Sequence, residues 1–394
     1  MQLDRQLDRQ TVGDLPSVVL VDPVHRRAND RTWCFWDSGT SDIEAAVHRT
    51  WSQVEFVDAR GCSRILDLAP LRYVMVRSSD FYALADDAAA RLSAVRIPAV
   101  ADEVSDGVVR AGGLTVHARW IVDSRPAVPL RPATTSLIQH FRGWTVRFPQ
   151  DVFDPDLPVL MDFSVPQPAH GVAFGYVLPS GPRRALVEYT LFSGSLLADE
   201  EYEQALHAYL YGRYGATPTD YVIDQLEAGA IPMTDAVHAR RVGASTFRIG
   251  TAGGATRGST GYTFAAMQRQ SAAMAAALLA GREPMPPPAY PRRHRWMDAV
   301  MLRALDHGLV RGPDLFMRLF ERNPPDRVLR FLDGETSLLE EIALMRAAPR
   351  LAMGRAAGGN VVARGRRRMA AGPARPGPAS SLVAQEEADS SGRR

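Results

Sequence analysis

The segment TFRIGTAGGATRGSTGYTFAAMQRQSAAMAAALLAG, residues 246–281, restricts the possible folds more than any other part of the chain. It reads as a short apolar strand, a turn carrying Gly250, Gly253, Gly254 and Gly258, and a long helix opening near Ser259. A helix start preceded by glycines offers free backbone N–H groups and the positive end of the helix dipole, a geometry that holds a phosphate or pyrophosphate. Glycine is needed wherever such a ligand crowds the backbone. The alanines from Ala265 to Ala277 let the helix lie close against a sheet or a flat cofactor. The same pattern also suits a β–α turn that binds nothing.

With 394 residues the chain is long enough for two domains or one large interleaved one. Its composition, 46% hydrophobic and 23% charged, is that of an ordinary globular chain. A net charge of +2 gives no reason to expect nucleic acid as a partner, and every basic residue is arginine, with no lysine in the sequence. The histidines show no metal-ligand spacing, and Cys34 and Cys62 are too few for a disulfide framework, which points to a reducing, cytoplasmic compartment. No run of about 18 apolar residues is present to span a bilayer, so any membrane contact is expected to be peripheral.

Residues 1–16 repeat LDRQ and read as disordered. SVVLVDP (17–23) is a continuous apolar run that suits a parallel strand covered on both faces. LRYVMVRS (71–78) reads as a strand followed by a helix, and 108–126 as strand, glycine turn, strand and a third strand ending at Asp123. Three strands separated by turns fill 157–192, and a helix with apolar residues at Leu206, Tyr209, Leu210 and Tyr214 stops at Gly215. Proline-rich EPMPPPAYP (283–291) precedes two amphipathic helices, Trp296–Leu309 and Asp314–Glu321, and residues 354–394 have the composition of a disordered tail. This order predicts an α/β chain in five parts after the N-terminus. A nucleotide-binding domain spans 17–138 and resumes at 236–282. An antiparallel substrate sheet at 139–235 interrupts it, with C-terminal helices at 283–353 and the tail last.

Asp22 ends an apolar strand, where a carboxylate can accept hydrogen bonds from ribose hydroxyls; at such a place a turn residue or helix cap is the commoner role. In RALVEYTLF (184–192), alternation puts Leu186, Glu188 and Thr190 on one face and Ala185, Val187, Tyr189 and Leu191 on the other. If that first face is covered, Glu188 loses hydration and stays protonated near neutral pH, ready to act as an acid; if it meets solvent, Glu188 is an ordinary carboxylate. Asp162 in PVLMDFSV (158–165) is a second carboxylate in an apolar strand. Phe141, Trp144 and Phe148 form an aromatic row that suits a ligand wall or simply core. The cluster Arg292, Arg293, His294 and Arg295 suits either a solvated cap or docking to an anionic membrane.

These pieces, in order, resemble the flavin-dependent lycopene cyclases of the bacterial β-cyclase type. The resemblance runs through NDRTWCFW (29–36), YVMVRSSDFY (73–82), VDSRP (122–126), QHFRGW (139–144), MDFSVPQ (161–167) and FGYVLP (174–179). It continues through ALVEYT (185–190), IPMTD (231–235), IGTAGGATRGSTGYTF (249–264) and RFLDGETS (330–337). It implies a Rossmann-like FAD-binding domain of the glutathione-reductase and aromatic-hydroxylase type, interleaved with a substrate sheet. It further implies FAD contacts at Asp22 and at Gly250, Gly253, Gly254, Ser259, Thr260 and Gly261. The cofactor works reduced, with NAD(P)H as reductant. Lycopene is the implied substrate and Glu188 the implied acid that protonates the polyene end to form β-carotene through γ-carotene, while a membrane surface is the partner that the basic cluster at 292–295 suggests. Two departures stand out: the family's opening strand and GxGxxG helix have no counterpart ahead of Ser17, and Tyr189 stands where a second acid is common. A flavin-dependent reductase or hydroxylase of isoprenoid or aromatic substrates, and an inactive carotenoid-binding remnant, are the competing readings.

Overall fold

The computed structural model describes residues 16–23, 27–39, 43–126 and 132–369. Chain order begins with β1 (Val19–Val21), β2 (Thr32–Asp37), β3 (Val47–Trp51), β4 (Gln53–Val57), β5 (Ser63–Asp67) and β6 (Arg72–Arg77). Helix α1 (Ser78–Arg91) and β7 (Val95–Ile97) follow. A small antiparallel unit of β8 (Ala101–Ser105), β9 (Val108–Ala111) and β10 (Leu114–His117) then leads to β11 (Ile121–Asp123). The long strands come next: β12 (Ser136–Arg147), β13 (Val159–Asp162), β14 (Val172–Gly181) and β15 (Arg184–Ser193). Helix α2 (Asp199–Tyr214) and β16 (Val222–Thr234) complete that region. Strand β17 (Thr246–Arg248) leads through the glycine-rich loop into α3 (Phe264–Leu279). Five helices close the described chain: α4 (Arg292–Asp306), α5 (Gly312–Arg322), α6 (Pro325–Leu332), α7 (Leu338–Met345) and α8 (Arg350–Met369).

The βα segments give two parallel pairs, β1 with β7 and β11 with β17. The dominant element is a seven-stranded sheet in the order β16-β12-β15-β14-β13-β4-β5, beside a three-stranded sheet β2-β6-β3. Its long antiparallel strands occupy 136–234, close to the 139–235 expected to form an antiparallel sheet, and the sheet also takes in strands from earlier in the chain. Hairpin β4–β5 adds to its edge, with β4 parallel to β13, because Val54 and Phe56 join the core on one face of the sheet and Val57 the core on the other. Strand β1 differs from expectation: Val19 is 41% exposed, since β7 is its one strand neighbour among the described residues.

Alternation divides the large sheet into two apolar faces. One carries Phe174, Leu178, Leu186 and Phe192 and packs beneath Leu302, Leu305, Phe316 and Phe320 of α4 and α5. The other carries Ala185, Val187, Tyr189 and Leu191 beneath Tyr202, Leu206, Tyr209 and Leu210 of α2, and takes in Trp144 and Phe148 as core. Helix α2 ends where Gly215 turns left-handed (φ 66°).

The C-terminal end is more ordered than its composition suggests. Helix α8 runs through Gly354 to Met369, and its Ala356 and Asn360 are fully buried. Arg364 lies over the Trp296 ring at 4.9 Å and reaches Asp235 at 3.3 Å. Alanine and arginine are good helix formers, and docking on α4 provides what propensity alone does not. Residues 1–15 and 370–394, expected to be disordered, lie outside the described residues.

Candidate active site

Glu188 sits midway along β15, on the face turned toward α4 and α5, with 8% of its surface exposed. Its register partners are Gly143 on β12 and Tyr176 on β14, and beyond Gly143 the next residue in the row is Glu227 of β16. Two carboxyls therefore flank a glycine on one face of the sheet, their backbones about 10 Å apart by ordinary strand spacing. Glu188 leans over that glycine: a Cβ at Gly143 would lie 2.7 Å from Glu188 Cγ and 3.4 Å from Oε1.

The two acids sit in different surroundings. No side chain or backbone group among the described residues hydrogen-bonds the Glu188 carboxyl, so burial, then the charge of Glu227, raises its pKa well above the usual carboxylate range. Glu227 is half-buried and accepts two hydrogen bonds from Thr32, one from its N–H at 2.8 Å and one from its Oγ1 at 2.9 Å. Burial raises it to about 7, and the Thr32 bonds hold it from going higher.

Around Glu188 the wall is aromatic and apolar. Tyr73 and Tyr176 share a hydrogen bond at 2.7 Å, and the half-buried Cys34 thiol beside them is pushed up to about 12 by loss of hydration, against the lowering effect of both tyrosines. Trp36, Tyr262, Leu186 and Phe192 continue the same cluster. Phe141 lies on this face too, with its ring over Gly229. The arrangement offers a proton donor with no internal acceptor, a fixed carboxylate nearby, and ring faces that attract positive charge.

Asp162, the other acid in an apolar strand, has the opposite fate. It is fully buried, yet Tyr209 Oη and Arg213 Nη1 each donate to it at 3.1 Å, and Ser164 donates from its N–H and hydroxyl. Arg213 also reaches Glu55 at 2.5 Å. Asp162 is an anchor for α2.

The glycine-rich loop is partly open and partly filled by its own chain. Backbone N–H groups of Gly250, Thr251 and Ala252, and of Phe264, Ala265 and Ala266 at the start of α3, have no partner among the described residues. The hydroxyls of Thr251, Thr256 and Thr263 link in a chain at 2.7 and 2.8 Å. At Gly250 (φ 63°) an added Cβ meets nothing nearer than Met267 Sδ at 3.9 Å. This end fits an anionic or hydrogen-bond-accepting cofactor group such as a pyrophosphate.

The other proposed contacts are differently occupied. The helix opens at Phe264 instead of Ser259, because residues 256–263 fold as turns that cross to the C-terminal helices. Ser259 is buried and donates to Asp298 Oδ1 at 2.7 Å. A Cβ at Gly253 would strike the Arg248 carbonyl at 2.3 Å, and one at Gly261 the Gln139 side chain at 2.3 Å. Those glycines make room for protein atoms, not for a ligand. Gly254 (φ 79°) packs against His238, and Thr260 is buried, its Oγ1 taking the Tyr262 N–H at 3.4 Å. Asp22 is exposed after β1, its N–H donated to the Ile97 carbonyl.

Arg257 fastens the loop in place. It is wholly buried, pairs with Asp298 at 3.1 Å, donates to the Phe331 carbonyl, and stacks on Phe331 at 4.6 Å. The basic cluster 292–295 also resolves into separate roles, inside the first turn of α4 and not ahead of it. Arg293 binds Glu341 at 2.8 Å and His294 is buried against the same carboxylate at 2.6 Å, while Arg292 and Arg295 stay exposed.

Sequence reasoning did not find Glu227, Gly143, Thr32, the Tyr73–Tyr176 pair or Arg257. Only Glu227 left a readable signal, as a lone acid in the alternating run QLEAGAIP (225–232).

This mixed α/β arrangement is the fold of flavin-dependent oxygenases, halogenases and reductases. The p-nitrophenol 4-monooxygenase PnpA from Pseudomonas putida DLL-E4 superposes with a TM-score of 0.55 at 12% identity, over 88% of this chain and 92% of its own. The flavin-dependent brominase Bmp2 gives 0.52 at 14%, over 87% and 93%. A geranylgeranyl bacteriochlorophyll reductase-like protein from Thermoplasma acidophilum gives 0.50 at 12%, over 84% and 95%. Comparison with curated proteins gives no match. The family model described as lycopene cyclase protein matches residues 5–358, and the chain belongs to that family.

Proposed function

We propose that this protein is a lycopene β-cyclase, an intramolecular lyase that closes the acyclic ends of lycopene into β-ionone rings by way of γ-carotene. The observation that carries the reading is the buried, unpartnered Glu188 carboxyl in an aromatic and apolar wall. Glu188 gives its proton to the terminal double bond, leaving a tertiary carbocation. The neighbouring double bond attacks, the ring closes, and loss of a ring proton makes the product. Trp36, Tyr73, Tyr176 and Tyr262 exclude water that would trap the cation as an alcohol and turn electron-rich faces toward it.

FAD is the cofactor this reading calls for. Gly250, Thr251 and Ala252 and the first turn of α3 would hold it through N–H groups that have no partner among the described residues. When bound and reduced by NAD(P)H it supplies negative charge near the ring being formed, with no net redox change.

A lycopene cyclase must draw its substrate from a membrane surface, and α7 supports this. Leu338, Leu339, Ile342 and Met345 are exposed together, Leu339 to 79%, and Leu351 follows. Arg346, Arg350 and Arg355 beside them are exposed and form no ion pair among the described residues, which suits anionic lipid. No described helix is long and apolar enough to cross a membrane.

Expression in a lycopene-accumulating host tests the reading. Wild type yields β-carotene and Glu188→Gln leaves lycopene. Polar, oxygenated products would indicate a hydroxylase instead, and unchanged lycopene with wild type would reject catalysis.

A further inference from the structure

Protonation by Glu188 opens the reaction, and at its end some carboxylate must take the ring proton and leave the acid recharged. Three features place that group. Glu227 shares a sheet face and a register row with Glu188, separated from it only by Gly143. Glycine in the middle leaves the slot between the carboxyls without a side chain, and Glu188 already bends into it. Thr32 donates twice to Glu227, which favours its ionised form, while Glu188 has no hydrogen-bond partner among the described residues.

We propose that Glu227 is the base that removes the ring proton and hands it back to Glu188, so that the pair carries one proton between turnovers. This rests on the cyclase reading above. The bookkeeping closes: one proton passes from Glu188 oxygen to the polyene carbon, a C–C bond forms, and a ring C–H bond breaks toward Glu227 oxygen. The proton then crosses the Gly143 slot, and no electron is gained or lost. Glu227 is half-buried where Glu188 is covered, so it is also the pair's contact with solvent.

The groups facing Glu227 are Glu188 from β15, Thr32 from β2, and Arg31 and Asp30 from the preceding loop. Arg31 opposes protonation and Asp30 favours it, so the acid limb of the rate profile belongs to Glu227 as this set leaves it, near 7.

The test uses the full chain with reduced FAD and lycopene. Glu227→Gln should lower β-carotene formation at least 100-fold and divert product toward water-trapped or isomeric rings. Glu227→Asp should restore part of the rate. Thr32→Val should move the acid limb to higher pH without changing the basic limb. A second readout is infrared titration of the Glu188 carboxyl, identified by its loss in Glu188→Gln and needing no turnover. In Glu227→Gln that carboxyl should lose its proton at lower pH than in wild type. Wild-type rate and product ratio in Glu227→Gln, with wild type itself cyclising, overturn the proposal and leave the cyclase reading standing. A Glu227→Gln protein that fails to fold passes the decision to Thr32→Val, whose unmoved acid limb would overturn it equally. A wild type that never cyclises, whatever the infrared result, rejects the reading beneath it.

Discussion

Gly143→Ala is the sharpest probe of how the acid is held. A methyl group at that position would sit 2.7 Å from Glu188 Cγ and 3.1 Å from Leu186 Cδ1. Carbon pairs prefer about 3.5–4.0 Å, so Glu188 must retreat by roughly 1 Å. Overpacking of this kind costs about 1–3 kcal/mol, and the low end applies because a glutamate can rotate away where a core leucine cannot. Catalysis should suffer more than stability, since a 1 Å displacement of a reacting group costs on the order of 100-fold in rate. That is about 2.7 kcal/mol of barrier. The assay pairs thermal unfolding of purified protein with chromatographic measurement of β-carotene formed from lycopene under reducing conditions. A small fall in Tm with a hundredfold slower reaction supports the geometry. Wild-type turnover in a folded Gly143→Ala protein would refute it, because it would mean that Glu188 need not lean into the slot to work.

Further expectations concern the frame. Arg257→Met leaves Asp298 buried beside Ser259 alone, and breaking a buried pair of this kind costs about 3–5 kcal/mol; denaturant unfolding that shows under 1 kcal/mol would contradict the clasp. Asp333, raised by burial to about 7, binds its proton more tightly folded than unfolded, so its stabilising effect is full below about pH 4 and is lost as pH rises through about 7. Asp333→Asn should flatten the stability-against-pH curve in that window, and a slope equal to wild type would remove Asp333 from the account. Leu339→Asp should weaken cosedimentation with vesicles of anionic phospholipid several-fold while leaving the fold intact, and unchanged binding would discard α7 as the docking surface.

Strand alternation let the sequence divide β15 correctly. Leu186 faces the cluster of α4 and α5, and Val187 and Tyr189 face α2, as a period of two requires. What alternation could not supply is the partner of each acid. Glu188 and Asp162 look alike in sequence, each a carboxylate among apolar neighbours. Arg213, 51 residues beyond Asp162, makes one an ion pair, while no hydrogen-bonding group among the described residues reaches the other. The same limit hid Glu227, whose meaning depends on a glycine 84 residues away in chain and adjacent in sheet register, as 227 less 143 gives. The glycine-rich loop was legible as a β–α turn, but its glycines were ascribed to a ligand when the Arg248 carbonyl and Gln139 occupy two of the positions. Crowding by the protein and crowding by a cofactor demand the same residue, so composition cannot separate them.

The Arg257 clasp gives the last third of the chain a standing its sequence does not advertise. A guanidinium from the glycine-rich loop is threaded between a carboxylate on one C-terminal helix and a carbonyl on another, so neither part can shift without dragging its counterpart. Anyone exchanging these helices with those of a homologue would have to transplant the receptor for that arginine along with them. Otherwise the graft would loosen the glycine-rich loop from a distance, even though every residue of the loop itself had been left as it was.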